Sequence, residues 1–342
     1  MPFNHAQRLI SRACMGILFA LLVACTSQTA LPTPTTLPTH TPTLLLPTMT
    51  PEPSATPTPT EVLTEVPTLF PTNPVPDPSG AWFPAPPVRH ARAAHAVVST
   101  GDAIYALAGT DDNRRPVIEV ERFDGTTWTV ETTLPGDGLN APAAVFLDNR
   151  IYLIGGFKTT TNSPTDEVLL YDLNTQTWSN AAPLPNPRGG HAAVAFDGKI
   201  HVVGGGNSQR TLEDHSVYDP ATDTWTDLAP LPRAKGSPSA VVFEGVLYVL
   251  GGRSGPNDFG ETHRYNPETD SWEEGPAISP LGTAGAVDYC NTIYVFGGES
   301  QERDIALNEV LRLNLPHQVW ELAPPMPTAR APPAGPTSPR PR

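Results

Sequence analysis

Cysteine is nearly absent: three in 342 residues, at 14, 25 and 290. Cys14 and Cys25 fall in the first 25 residues, so Cys290 is alone in the remainder and no internal disulfide can staple the fold. Positive charge is scarce too, with 21 Lys and Arg against 35 Asp and Glu and a formal net charge of −14. That balance argues against nucleic acid as a partner and gives no electrostatic reason for direct binding to anionic lipid. Long apolar runs are missing. The longest, Ala13 to Ala24, is too short to span a bilayer comfortably. There is no P-loop, no Ser-His-Asp arrangement with motif support and no Cys/His cluster at zinc spacing, so neither a metal nor a cofactor is expected.

Proline, by contrast, is abundant, with 42 residues. It crowds two regions and divides the chain into residues 1–24, 25–78, 79–330 and 331–342. In the first, Arg8 and Arg12 precede the apolar stretch, as in a signal peptide. That stretch ends Leu22-Val23-Ala24-Cys25, which resembles a bacterial lipobox. The resemblance implies cleavage before Cys25, lipidation of Cys25 and an extracytoplasmic protein whose contact with membrane is its lipid anchor. Residues 25–78 are dominated by Pro and Thr and are expected to form an extended tether, on the order of 150 Å at about 3.1 Å per residue. Residues 331–342 are again proline-rich and are expected to lie outside the fold.

Between these flanks a unit repeats. The tryptophans Trp128, Trp178, Trp225, Trp272 and Trp320 are roughly 47 residues apart, the period of a propeller blade. An apolar run ending in small residues recurs at the same register: IYALAG from Ile104, IYLIGG from Ile151, IHVVGG from Ile200, LYVLGG from Leu247 and IYVFGG from Ile293. Each unit reads as four strands. The second is apolar on both faces, as expected where blades cover it from either side. Turn chemistry such as Asp219-Pro220-Ala221-Thr222-Asp223 joins the third strand to the fourth, which the tryptophan opens. Aromatics recurring at one register read as core, not as a sugar platform.

This pattern resembles the kelch repeat. The resemblance implies an all-β, kelch-type β-propeller with five complete four-stranded blades. Trp82 stands ten residues before Arg92, as Trp178 does before Arg188 and Trp225 before Lys235, which implies an N-terminal strand of an incomplete sixth blade. The proline-rich residues after Arg330 cannot supply the missing strands, so the ring is expected to be shaped for six and left unclosed, the alternative being a self-contained five-blade ring with the Trp82 segment lying on its side.

For function the resemblance implies a binding or interaction module for protein or glycan ligands, displayed at the cell surface. Kelch binding modules use loops directly after the glycine pair and positions near the basic residue that opens each copy. Carried onto this chain, the first set is Asp111, Phe157, Lys158, Asn207, Arg253 and Glu299, and the second is Arg188 and Lys235. Catalysis is not required by any visible residue. The alternative is a secreted carbohydrate-active enzyme resembling the sialate epimerase, with a carboxylate and an arginine converging at the channel mouth, for which Glu299 and Arg253 are placed. The copper oxidases that share the blade motif fit poorly. Cys290 falls in a turn, His95 and His191 occupy equivalent structural positions, His201 sits where other copies carry Tyr, and nothing pairs His215 with His263 as ligands.

Overall fold

The computed structural model describes residues 82–329, and the expected signal sequence, Cys25, the expected tether and residues 331–342 lie outside them. Among the described residues there is no helix. Five antiparallel four-stranded sheets follow one another along the chain. Blade one consists of Ala96–Ser99, Ile104–Leu107, Glu119–Phe123 and Trp128–Thr133. Blade three, the most regular, consists of Ala192–Phe196, Lys199–Val203, His215–Asp219 and Thr224–Leu228. Blade five ends on Val319–Ala323.

Local chemistry sets each sheet. Phe196 pairs with Lys199 across a two-residue turn in which Asp197 and Gly198 both take positive φ, the geometry that matches strand twist. Cys290 fills the corresponding turn position in blade five, as its sequence register implies. At the other end of blade three, Asp219 Oδ1 accepts from the Ala221 N–H and closes the turn into strand four. The second strands of blades one to four are sealed on both faces. Ile151, Leu153 and Ile154 are fully buried, as are Ile200, Val202 and Val203.

Two sets of hydrogen bonds carry one blade to the next. In the first, each tryptophan indole donates to a carbonyl four residues past the previous tryptophan: Trp225 Nε1 to Ala182 O at 2.8 Å, Trp272 to Ala229 at 2.9 Å, and Trp320 to Pro276 at 2.8 Å. Trp178 is the exception. Its Nε1 is buried without a partner, and the strand that would present its acceptor carries an extra residue, Glu131, opposite Val120 and Glu121. In the second set, backbone amides step around the axis: Ala141 N–H to Ala94 O, Gly190 to Ala141, Ser237 to Gly190 and Thr283 to Ser237.

First strands of successive blades also pack together from blade one through blade five, but no comparable packing joins blade five back to blade one among the described residues. Residues 82–88 lie in that interval. The strand expected at Trp82 is not observed in these residues, which are unpaired by any ladder; Pro84, Pro86 and Pro87 lack the N–H one would need. The tryptophan relation nonetheless continues through this segment. Trp82 Nε1 donates to Pro324 O at 3.2 Å, and Trp128 Nε1 donates to Pro86 O at 3.0 Å.

Candidate functional site at the channel mouth

The second strands of blades one to four each end in a backbone lock onto the following copy. The amide of the second small residue donates to the carbonyl of the residue opening the next copy: Gly109 to Leu139, Gly156 to Arg188, Gly205 to Lys235, and Gly252 to Leu281, all within 2.9 Å. The first residue of the pair must therefore lie close under that carbonyl. At Gly204, with φ of +65°, a Cβ would stand 2.4 Å from Lys235 O. No L side chain fits there.

The lock decides where the next residue points. Thr110, Phe157, Gly206, Arg253 and Glu299 occupy one bridge position around the mouth, each paired with the turn at the start of its own blade. The Phe157 and Arg253 side chains extend over the following copy. A Cβ at Gly189 would fall 2.3 Å from Phe157 Cε2, and one at Gly282 would fall 2.5 Å from Arg253 Nε. The frame repeats, but the five side chains are a hydroxyl, a phenyl, a hydrogen, a guanidinium and a carboxylate. Positions that share a scaffold and differ in chemistry are where a ligand would be discriminated.

The structure brings Arg253 and Glu299 together. The Arg253 guanidinium donates to Glu299 Oε1 and, at 2.5 Å, to Thr283 Oγ1, and its Nε lies 3.8 Å from Asp258 Oδ1. Asp258 Oδ2 in turn accepts from the Gln301 N–H at 2.6 Å. Arg253 and Glu299 side chains each keep 13% exposure, so the cluster reaches solvent at its rim. Asp258, Thr283 and Gln301 were not among the expected residues; two acids flanking a cationic position in neighbouring loops were the available signal.

The other expected residues separate. Phe157 is half-buried with its ring over Gly189, and Lys158 Nζ reaches Glu167 Oε1 at 2.9 Å in solvent. Asp111 and Asn207 sit one residue past the mouth position and are engaged in their own turns. Asp111 Oδ1 accepts from Asn113 and Arg115 amides, and Asn207 Oδ1 accepts from Gln209 and Arg210 amides.

Arg188 and Lys235 require a correction, because both side chains are fully buried and neither lies on a ligand-facing surface. Arg188 donates to Asp214 Oδ2 at 2.8 Å and to Gly204 O, and Lys235 Nζ donates to Glu261 O at 2.7 Å. Burial pulls the Lys235 ammonium down to about 8 and also lowers the Arg188 guanidinium. Arg92 repeats the motif in blade one, donating to Glu121 Oε1 at 2.7 Å. Burial pushes the Glu121 carboxyl up, but amides of Arg89 and His90 and the Arg92 guanidinium outweigh it and hold the group below the usual range. These cations are struts within blades.

Below the mouth, a cavity of about 210 Å³ is lined mostly by small side chains, among them Ala96, Ala143, Ala144, Ala192, Ala193, Ala240 and Ala286. Its one imidazole, His191, is driven down to about 3 by burial and by Arg188 beside it, which makes it neutral. Ser239 Oγ, also in the lining, donates to Ala284 O. Among the described residues no three His, Cys, Asp or Glu side chains converge as a metal-holding group. His201 and His215, which no sequence motif links, hydrogen-bond each other at 2.9 Å between blades three and four.

Residues 81–233 match the KLHDC2/KLHL20/DRC7 Kelch-repeats domain, and residues 235–277 match the Kelch motif. Alpha-scruin of Limulus polyphemus is 35% identical over 129 residues, covering 36% of this chain and 14% of its own length. Kelch-like protein 23 of Homo sapiens is 34% identical over 128 residues, covering 36% of this chain and 22% of its own. The chain thus spans roughly a seventh to a fifth of the length of these curated relatives. A solved structure titled "Structure of YjhT" superposes with a TM-score of 0.64 at 14% identity, covering 72% of this chain and 88% of that one, a likeness of fold alone. The described residues form a five-bladed β-propeller built from kelch-repeat domains.

Proposed function

We propose that this protein is a surface-displayed, lipid-anchored kelch propeller whose mouth loops bind a protein or glycan ligand. The observation that carries the reading is the division of chemistry at the mouth. A repeated backbone frame carries five different residues at one bridge position, while the cavity beneath offers alanines, one neutral imidazole and a satisfied serine. Kelch propellers are protein-interaction modules in general, which favours a protein ligand. The anchor rests on Leu-Val-Ala-Cys and the Pro/Thr-rich residues that follow, which together would hold the propeller away from a bacterial membrane.

A second reading, a carbohydrate-active enzyme resembling the sialate epimerase, is favoured by one observation: an arginine and a carboxylate meet at the mouth. Acid–base work would need Glu299 released from Arg253, with one of the two groups able to exchange a proton with substrate.

The test uses the secreted chain with Cys25→Ser, screened against glycan arrays and bacterial surface proteins. Saturable binding that leaves the ligand unchanged supports a binding module, whereas turnover of an amino sugar supports the enzyme. In a bacterial host, the unsubstituted chain should partition into detergent and take up labelled fatty acid. A Cys25→Ser chain that still labels would sink the anchor.

A further inference from the structure

The fifth blade is covered less than the others. Its second-strand residues Tyr294 and Phe296 face the interval toward blade one and are half-buried. Their counterparts in the other four blades, from Tyr105 and Leu107 to Tyr248 and Leu250, are at most 8% exposed. Trp82 covers part of this face, meeting the Phe296 ring edge-on at 6.2 Å. Four of the five exposed large apolar side chains, Phe83, Ile305, Val319 and Leu322, belong to this blade or follow Trp82 directly. Blade one presents no such face. Ile104 and Ala106 are at most 1% exposed on its side of the interval, in one cluster with Val88.

We propose that residues 61–70, Glu-Val-Leu-Thr-Glu-Val-Pro-Thr-Leu-Phe, dock on the open face of blade five and complete the ring there. These residues lie outside the described ones; their composition and the point where the chain enters the fold assign them to this face. Between Pro51 and Ala81 the large apolar side chains are Val62, Leu63, Val66, Leu69, Phe70 and Val75, so five of the six fall in this stretch. Residues 61–66 contain no proline, and their β-branched Val62, Thr64 and Val66 alternate with Glu61, Leu63 and Glu65. That is the pattern of a strand with one face buried. Eleven residues separate Phe70 from Trp82 and reach up to about 36 Å when extended, enough to cross a blade whose strands are about 4.8 Å apart. Since Trp82 is already fixed to Pro324 O and Phe296, the preceding chain leaves from the face that needs cover. Docking here does not depend on which ligand the mouth takes.

Hydrogen exchange on the secreted Cys25→Ser chain tests it. Amides in residues 292–296 and 319–323 should be at least tenfold better protected than in the same chain begun at residue 79. Full-length Val62→Asp/Val66→Asp should lose the same protection, which keeps the comparison available if the shortened chain does not fold. A synthetic peptide of residues 57–72 added to the shortened chain should restore protection, and the Asp-substituted peptide should not. Equal protection in full, substituted and shortened chains overturns the proposal. So does protection that disappears on dilution together with a dimer seen by light scattering, because a second copy would then be the cover.

Discussion

His201 Nδ1 and His215 Nε2 stand 2.9 Å apart in the interface between blades three and four, packed against Tyr265 and Trp272 of blade four. One nitrogen must donate and the other accept, so the pair exists only while at least one ring is neutral. Burial, with Lys199 near the first and His201 near the second, pushes them down to about 4 and about 3. His95, His191 and His263 are depressed by burial in the same way, to about 4, 3 and 4.

Acid should therefore loosen the propeller earlier than its carboxylates alone would. Each imidazole has a folded pKa below its ordinary 6.5, so the unfolded chain binds more protons between the two values. Stability is fully present above about pH 6.5 and declines as pH falls toward about 3 to 4. Each ring contributes about 1.4 kcal/mol to that decline for every pH unit between its unfolded and folded values. Melting temperature should be flat between about pH 7 and 8, where neither the imidazoles nor Lys235 titrate, and fall steadily below about 6.5. Replacing the pair by the blade-two residues, His201→Tyr with His215→Val, should flatten part of that decline; an unchanged profile would remove the pair from the account.

Two glycines with nearly equal φ should behave differently. Gly198 has φ of +70° in an open turn with nothing within 4 Å of a Cβ, and Gly204 has φ of +65° with Lys235 O at 2.4 Å. Gly198→Ala should cost about 1–2 kcal/mol, the left-handed penalty alone. Gly204→Ala adds a clash with backbone that is itself locked, and should cost at least twice as much by denaturant titration.

Much of this frame is legible in the sequence. The tryptophan interval and the IYxxGG runs identify five blades, and the same interval finds Trp82, whose indole does continue the series. The missing strand there follows from the prolines after it. The fate of Arg188 and Lys235 was harder to read, because a basic residue beside a loop looks exposed until its partner is known. The signal was a paired offset: Asp214 and Glu261 each follow their cation by 26 residues, at the entrance to strand three. His201 and His215 escaped because their pairing depends on two adjacent strands in which Val203 opposes His215, setting the rings on one face.

The buried Arg92–Glu121 pair should tolerate single substitutions poorly. Both side chains are fully buried, and Glu121 also accepts from the Arg89 and His90 amides, at 2.6 and 2.9 Å. Glu121→Leu takes the counter-charge from the Arg92 guanidinium and the acceptor from two amides, with an expected loss of about 3–5 kcal/mol. Lys158→Ala, which removes an exposed partner of Glu167, should stay within about 1 kcal/mol. Thermal unfolding of the two variants side by side checks the contrast.

Arg188 and Arg253 separate support from recognition. Both are arginines hydrogen-bonded to a carboxylate, but Arg188 is sealed within blade three and Arg253 lies at the rim with Glu299, Thr283 and Asp258. Arg188→Gln should lower stability by about 3 kcal/mol, since Asp214 keeps only Asn186 Nδ2 as a donor and Gly204 O loses its guanidinium partner. Its folded fraction should bind a ligand from the array screen with unchanged affinity. Arg253→Gln leaves Glu299 at the solvent-reaching rim but takes the cation from Asp258, whose side chain is 1% exposed, so its stability should fall by about 1–3 kcal/mol. Its affinity should fall about tenfold or more, as should that of Phe157→Ala, whose ring lies over Gly189 at the equivalent mouth position. Isothermal titration alongside thermal unfolding gives both quantities for each variant. If Arg253→Gln and Phe157→Ala both bind as tightly as the parent, recognition does not occur at the mouth of the channel, and the loops chosen for it are only the ends of blades.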